Sequence, residues 1–211
     1  MNAFWTGAAA GYGIAIPVGA IAILIIETGL HRGFRSGFWA GAGAASADLL
    51  YAAVAVAAGS AAVVAVGRFA LPLQIASGIV LLALGGMGLW KLRAPAASGK
   101  SEVPAYGGAK TYAQFLGLTL LNPMTMVYFA ALILGGVAGA RISLSSRLLF
   151  ILAAGMASLS WQTLLAAAAA LLHKRLPVRA RQAFRLVGNL IVCAFGVKIL
   201  ASVAGPLLGL V

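Results

Sequence analysis

Long apolar runs, separated by short polar breaks, dominate the chain. They extend over Phe4 to Leu30, Phe38 to Val66, Leu71 to Trp90, Tyr112 to Ala138, Leu148 to Leu172 and Phe184 to Leu210. A helix crossing a hydrocarbon core of about 30 Å needs about 20 mainly apolar residues, so each run is long enough to span a bilayer. The breaks fall at His31 to Arg35, Gly67 to Arg68, Lys91 to Lys110, Gly139 to Arg147 and His173 to Arg181. The pattern predicts an all-α integral membrane protein of six transmembrane helices. The stretch from Arg93 to Gly108 is rich in Pro, Gly, Ala and Ser and contains the solvated charge Glu102, which marks a flexible tether. It divides the chain into a first three-helix unit over 1–92, a linker over 93–110 and a second unit over 111–211.

Composition agrees with a lipid solvent. Of 211 residues, 63% are hydrophobic and 9% charged, and the mean hydropathy is +1.04. The net charge of +12 would suggest nucleic acid in a soluble protein, but the cations lie in loops between apolar spans and lack interleaved aromatics. They read as topology signals instead. The odd connections carry 11 of them, namely Arg32, Arg35, Lys91, Arg93, Lys100, Lys110, Lys174, Arg175, Arg179, Arg181 and Arg185, whereas the even connections carry Arg68, Arg141 and Arg147. Positive-inside places the odd loops and the linker in the cytoplasm and both termini outside. The first Lys or Arg is Arg32, so the N-terminal run lacks the basic start of a cleaved signal and is expected to be retained. One cysteine, Cys193, excludes an internal disulfide or a thiolate metal site. Aromatics cluster near span ends (Phe4, Trp5, Phe34, Phe38, Trp39, Trp90, Tyr106 and Tyr112), as interfacial anchors do.

The two units carry related signals. Pro17, followed by Val18 and Gly19, interrupts span one about ten residues in, and Asn122 with Pro123 interrupts span four at a comparable depth. Proline there removes a backbone donor and frees a carbonyl, which either faces a cavity or is satisfied by neighbouring helices in a packed kink. In span two Gly43, Ser46, Asp48 and Tyr51 align with Gly155, Ser158, Ser160 and Thr163 of span five. Because each unit has an odd number of crossings, the second copy runs inverted, giving a 3+3 inverted-topology repeat. In secondary transporters of this kind the site lies near the midplane, where interrupted helices expose backbone groups to a cavity.

Asp48 lies about 20 Å along its span and is too deep to reach the interface. A carboxylate at that depth must face a polar cavity, be protonated or find a partner. Lys198, at matching depth in span six, is the candidate ion-pair partner; a proton- or cation-accepting role is the alternative. Asn122, Ser46, Ser158, Ser160, Gln162 and Thr163 could supply neutral hydrogen bonds around it. Glu27 reads as an interfacial partner of His31 one turn on, with Arg32 close by, the alternative being a gate, and His173 as solvated in a basic loop; neither histidine has metal-ligand neighbours. Small residues recur every four positions at Gly7 and Gly11, at Gly37, Gly41 and Ala45, and at Gly135 and Gly139, which permits close helix packing or oligomer contacts.

At these residues the chain resembles the LysE/RhtB family of amino-acid exporters. The similarity rests on Pro17 and Gly19, on Thr28, Gly29, Leu30, His31, Arg32 and Gly33 followed by Gly37 to Gly43, on Asp48 before Tyr51, and on Asn122 and Pro123. The common Pro-Gly-Pro of that family is here Pro17-Val18-Gly19-Ala20, and Ala47 stands in place of its usual Gly before the aspartate. The resemblance implies export of amino acids or related small metabolites from the bacterial cytoplasm, across the inner membrane, driven by an ion gradient, usually of protons. Pro17, Gly19, Asp48, Tyr51, Asn122, Pro123 and Ser160 are the expected substrate and ion site. No catalytic group, cofactor or metal is expected; the partners are a small solute, lipid and a coupling ion, with nucleic acid excluded and a homo-oligomer open. Alternatives are a divalent or heavy-metal cation exporter and a non-transporting membrane scaffold or enzyme. No phosphate-cradling Gly-Lys-Ser/Thr loop occurs, so the chain does not itself hydrolyse ATP.

Overall fold

A computed structural model of the chain describes residues 2–17, 19–58, 60–93, 107–132, 143–175 and 177–207. Among them the fold is wholly helical: α1 (Ala3–Ala15), α2 (Ala20–Ala58), α3 (Ser60–Arg93), α4 (Gly108–Leu120), α5 (Pro123–Leu132), α6 (Leu144–Arg175) and α7 (Val178–Leu207). Four helical segments are long and apolar enough to cross a membrane, within α2, α3, α6 and α7, and α4 with α5 forms a fifth candidate bent by 60°.

A straight helix of 39 residues would be about 58 Å long, far beyond a bilayer core. α2 is not straight. Gly33 adopts φ 79° and ψ 178°, a conformation open to glycine, and the chain reverses there. Eight residues of continuous helix would separate Gly29 from Gly37 by about 12 Å. A Cβ built on Gly37 would instead lie 3.0 Å from the Gly29 Cα, so the arm before Gly33 folds back on the arm after it. The break expected over His31 to Arg35 is therefore one residue wide. The break expected at Gly67 to Arg68 is absent, for α3 runs through it and through Pro72. One glycine costs a helix only about 1 kcal/mol, and membrane helices tolerate internal proline, so neither residue stops the element. α2 ends at Ala58 and α3 begins at Ser60. The linker charges Lys100 and Glu102, together with Gly135, Gly139 and Arg141, lie outside the described residues, as does the side chain of His173.

α2 packs chiefly on α6 and α4, α1 on α6, and α3 on α7. Small residues set these distances. A Cβ on Gly11 of α1 would run into the Ala154 carbonyl of α6, and one on Gly43 of α2 into the Tyr112 carbonyl of α4. Helix backbones touch at both places, the approach that small residues allow in lipid. Two apolar clusters form, one around Ala10, Ala52, Val56, Phe129, Phe150 and Ala154, the other around Ile21, Ile25, Ala44, Phe115, Leu118 and Ala166. Trp5 and Trp90 are largely exposed.

Candidate functional site

The chain loses its helical path at two places that face one cavity. In the first, α1 ends with Ile16 N–H donating to Tyr12 O at 2.9 Å, Pro17 follows, and α2 starts at Ala20. In the second, Asn122 N–H donates to Thr119 O at 3.1 Å and α5 begins at Pro123. Pro123 thus starts a helix rather than kinking one, since the first helical position needs no N–H partner. Asn122 caps that helix: its Oδ1 accepts from Met124 N–H at 3.2 Å and its Nδ2 donates to Thr125 Oγ1 at 3.1 Å. The Tyr51 hydroxyl donates to Leu120 O at 2.6 Å, satisfying a carbonyl at the end of α4, and its ring stacks on Phe129 at 5.7 Å. The Tyr128 hydroxyl donates to Ala10 O at 2.9 Å, tying α5 to α1.

The cavity measures about 470 Å³, inside the range of roughly 300–1,000 Å³ common for small-molecule sites. Pro17, Gly19, Asp48, Asn122 and Pro123 line it, with Thr119, Gln162 and Lys198. Five of the seven expected site residues therefore meet at one place. Tyr51 is half-buried behind the wall, supporting the α4 terminus. Ser160 is exposed on α6, where its Oγ lies 2.9 Å from the Tyr12 hydroxyl.

Asp48 is 3% exposed, and its Oδ2 accepts a hydrogen bond from Ser158 Oγ at 2.6 Å across the α2–α6 contact. Lys198 faces the same cavity from α7, but no ion pair joins it to Asp48 among the described residues. A buried carboxylate is costly to desolvate and one neutral hydroxyl offsets that only in part. Two further polar atoms in the wall, Thr119 Oγ1 and Gln162 Oε1, are buried with no hydrogen-bond partner among the described residues. Native proteins rarely leave such groups unpaired, so this wall offers spare hydrogen-bonding capacity to whatever fills the cavity. Thr119 gave no sequence signal, because a lone threonine in an apolar run usually bonds its own helix. Gln162 and Lys198 were visible as polar residues at depth; that they share a wall with both helix breaks depends on the tertiary packing.

Glu27 accepts a hydrogen bond from Asn189 Nδ2 of α7 at 2.8 Å, a partner not evident in the sequence. Among the described residues no group of three His, Cys, Asp or Glu could hold a metal ion.

Apolar helices surrounding a cavity that, among the described residues, holds one carboxylate, one ammonium and buried polar groups define a multi-pass membrane protein with an internal polar cavity. A family model for the LysE type translocator matches residues 13–203, and the chain belongs to that family. It is a membrane transporter, and the family is not an enzymatic one. No curated protein and no solved structure shows a significant match.

Proposed function

We propose that the protein is a secondary exporter of amino acids or related small metabolites in the bacterial cytoplasmic membrane, proton-coupled and working by alternating access. The observation that carries this reading is the composition of the cavity wall. Asp48 and Lys198 offer opposite charges to a zwitterion, while Gln162 Oε1 and Thr119 Oγ1 have unused hydrogen-bonding capacity. Asp48 is the group suited to carry a proton, since it is buried, has one neutral partner and faces the solute space. Among the described residues, the cation-export alternative would have a single carboxylate at the cavity to draw on.

Six crossings are part of the proposal. α1 with the first arm of α2 makes the first, the second arm the next, then α3, the bent pair α4 and α5, α6, and α7. The packing supports an inverted repeat of residues 1–92 and 111–211. Exchanging the two units turns the α1–α6 contact into the α4–α2 contact and leaves α2–α6 and α3–α7 unchanged. It also interchanges the helices that build the two apolar clusters, which lie on opposite flanks of the breaks. Such paired plugs suit a site opened to each side in turn. With the Gly33 turn in the cytoplasm, as the basic loops suggest, both termini are outside.

The test is flux of a labelled amino-acid panel into proteoliposomes under an imposed pH gradient, for wild type and Asp48→Asn. Gradient-driven flux of at least one solute, lost in the variant, is the expected result. Flux that survives the substitution at full rate would remove Asp48 from the coupling step.

A further inference from the structure

The closest helix contacts sort the molecule into two bodies. In one, Gly7 and Gly11 press α1 onto the α6 backbone, Gly41 presses α2 onto Gln162 of α6, and Gly43 presses α2 onto α4. In the other, α3 and α7 are fitted together: a Cβ on Gly78 would meet Leu200 Cγ at 2.6 Å, and one on Gly85 would meet Cys193 Sγ at 2.5 Å. Gly196 answers from α7, where an added Cβ would meet Gly78 O at 3.0 Å. Pairs this close move together, because close-packed surfaces do not deform continuously. Between the bodies, the nearest atom to a Cβ on Gly188 is Ile23 Cγ2 at 3.5 Å, ordinary van der Waals contact. The cavity lies on this seam, with Asp48, Asn122 and Gln162 on one wall and Gln74, Lys198 and Ser202 on the other.

A polar bond crosses the seam toward the Gly33 end. Asn189 of α7, 2% exposed, donates from Nδ2 to Glu27 Oε1 of α2 at 2.8 Å and to Arg185 O at 2.8 Å. Its amide fills the space left by Gly88 of α3, so its position is fixed by its own body. Arg185 and Arg32 both attract the Glu27 carboxylate. Nine residues separate Asn189 from Lys198, about 13 Å along α7, so the bond lies outside the cavity. Between them sits the apolar cluster of Ile21, Ile25, Phe115 and Leu118, against which Val80 and Leu84 of α3 pack. A void of about 10 Å³, room for about one water, adjoins Ile21, Val80 and Leu118.

We propose that the Glu27–Asn189 hydrogen bond is a latch holding the α3–α7 pair against the other helices on the Gly33 side of the cavity, and that its release opens the solute path there. The inference rests on the transport reading, and it makes the moving unit one helix from each half rather than one half against the other. A carboxylate acceptor gives a firm bond while the seam is dry, and water can replace the amide once the seam opens, so the latch is reversible.

The experiment is labelling of Val80→Cys by a water-soluble maleimide in proteoliposomes, in a Cys193→Ala background and without solute. Asn189→Ala should raise the labelling rate about tenfold or more, the order expected for losing a hydrogen bond to a charged group. Glu27→Gln, which keeps the shape and a neutral acceptor, should raise it several-fold. Ser202→Cys, on the far flank of the cavity, should show no increase in either variant. A parallel rise at both cysteines would signal general loosening and overturn the latch, as would unchanged Val80→Cys labelling in folded Glu27→Gln; that variant decides if Asn189→Ala aggregates. Absence of flux from wild type would sink the transport reading, whereas intact flux with unchanged labelling sinks the latch alone.

Discussion

Removing the Ser158 hydroxyl tests the charge environment at the centre of the cavity. Ser158 is fully buried and donates to Asp48 Oδ2 at 2.6 Å, with Asp48 itself 3% exposed, so the substitution removes a donor from a carboxylate that has little contact with bulk water. A hydrogen bond to a charged group contributes about 1.5–3 kcal/mol, a neutral one about 0.5–1.5 kcal/mol. Ser158→Ala should therefore destabilise the wild type by about 1.5–3 kcal/mol, but the Asp48→Asn protein by only about 0.5–1.5 kcal/mol. The double-mutant cycle should yield a coupling near 1–1.5 kcal/mol. For a chain of this length 1 kcal/mol corresponds to about 2–4 °C in melting temperature, so the single substitution should lower Tm by roughly 3–12 °C. Reversible unfolding in mixed micelles supplies the free energies. Asp48→Asn alone should cost little or stabilise, because it removes a buried charge and keeps a partner for Ser158. A coupling below about 0.5 kcal/mol, the additivity expected of independent sites, would refute a charge-assisted bond between the two residues.

Three other outcomes follow from the same geometry. Gly11→Ala should destabilise by about 1–3 kcal/mol, since its Cβ meets the Ala154 carbonyl, whereas Gly86→Ala, with nothing within 4 Å, should be neutral or stabilising; chemical unfolding separates them. Asn122→Ala should cost about 0.5–2 kcal/mol through loss of the α5 cap, and Asn122→Ser should recover most of it; equal losses in both would count against a capping role. Lys198→Ala should raise KM for a zwitterionic solute with little change for a matched amine lacking the carboxylate, as read in proteoliposome uptake; equal effects on both solutes would remove Lys198 from carboxylate binding.

The helical membrane class was legible because it depends on one-dimensional quantities. Twenty apolar residues in a row, with the cations other than Lys198 gathered at or beside the breaks, admit few other structures. Pro17, Asn122 and Pro123 announced the two interruptions through local backbone chemistry, which proline and a capping side chain carry in themselves. Asp48 stood out because a carboxylate inside an apolar run demands a reason. The turn at Gly33 and the unbroken run of α3 through Gly67 and Arg68 were less readable: one glycine can end a helix or lie inside it, and the neighbours it packs against decide. Ser158 as the partner of Asp48, Asn189 as the partner of Glu27, and Thr119 and Gln162 as unpaired groups of one wall depend on which helices meet and how they are rotated. The sequence by itself determines which segments leave water and, at Pro17 and at Asn122 with Pro123, where the helical path is interrupted. Only the packing of α2 on α6 and α3 on α7, set by backbone contacts at glycines, determines which polar atoms share a cavity and which face each other across its seam.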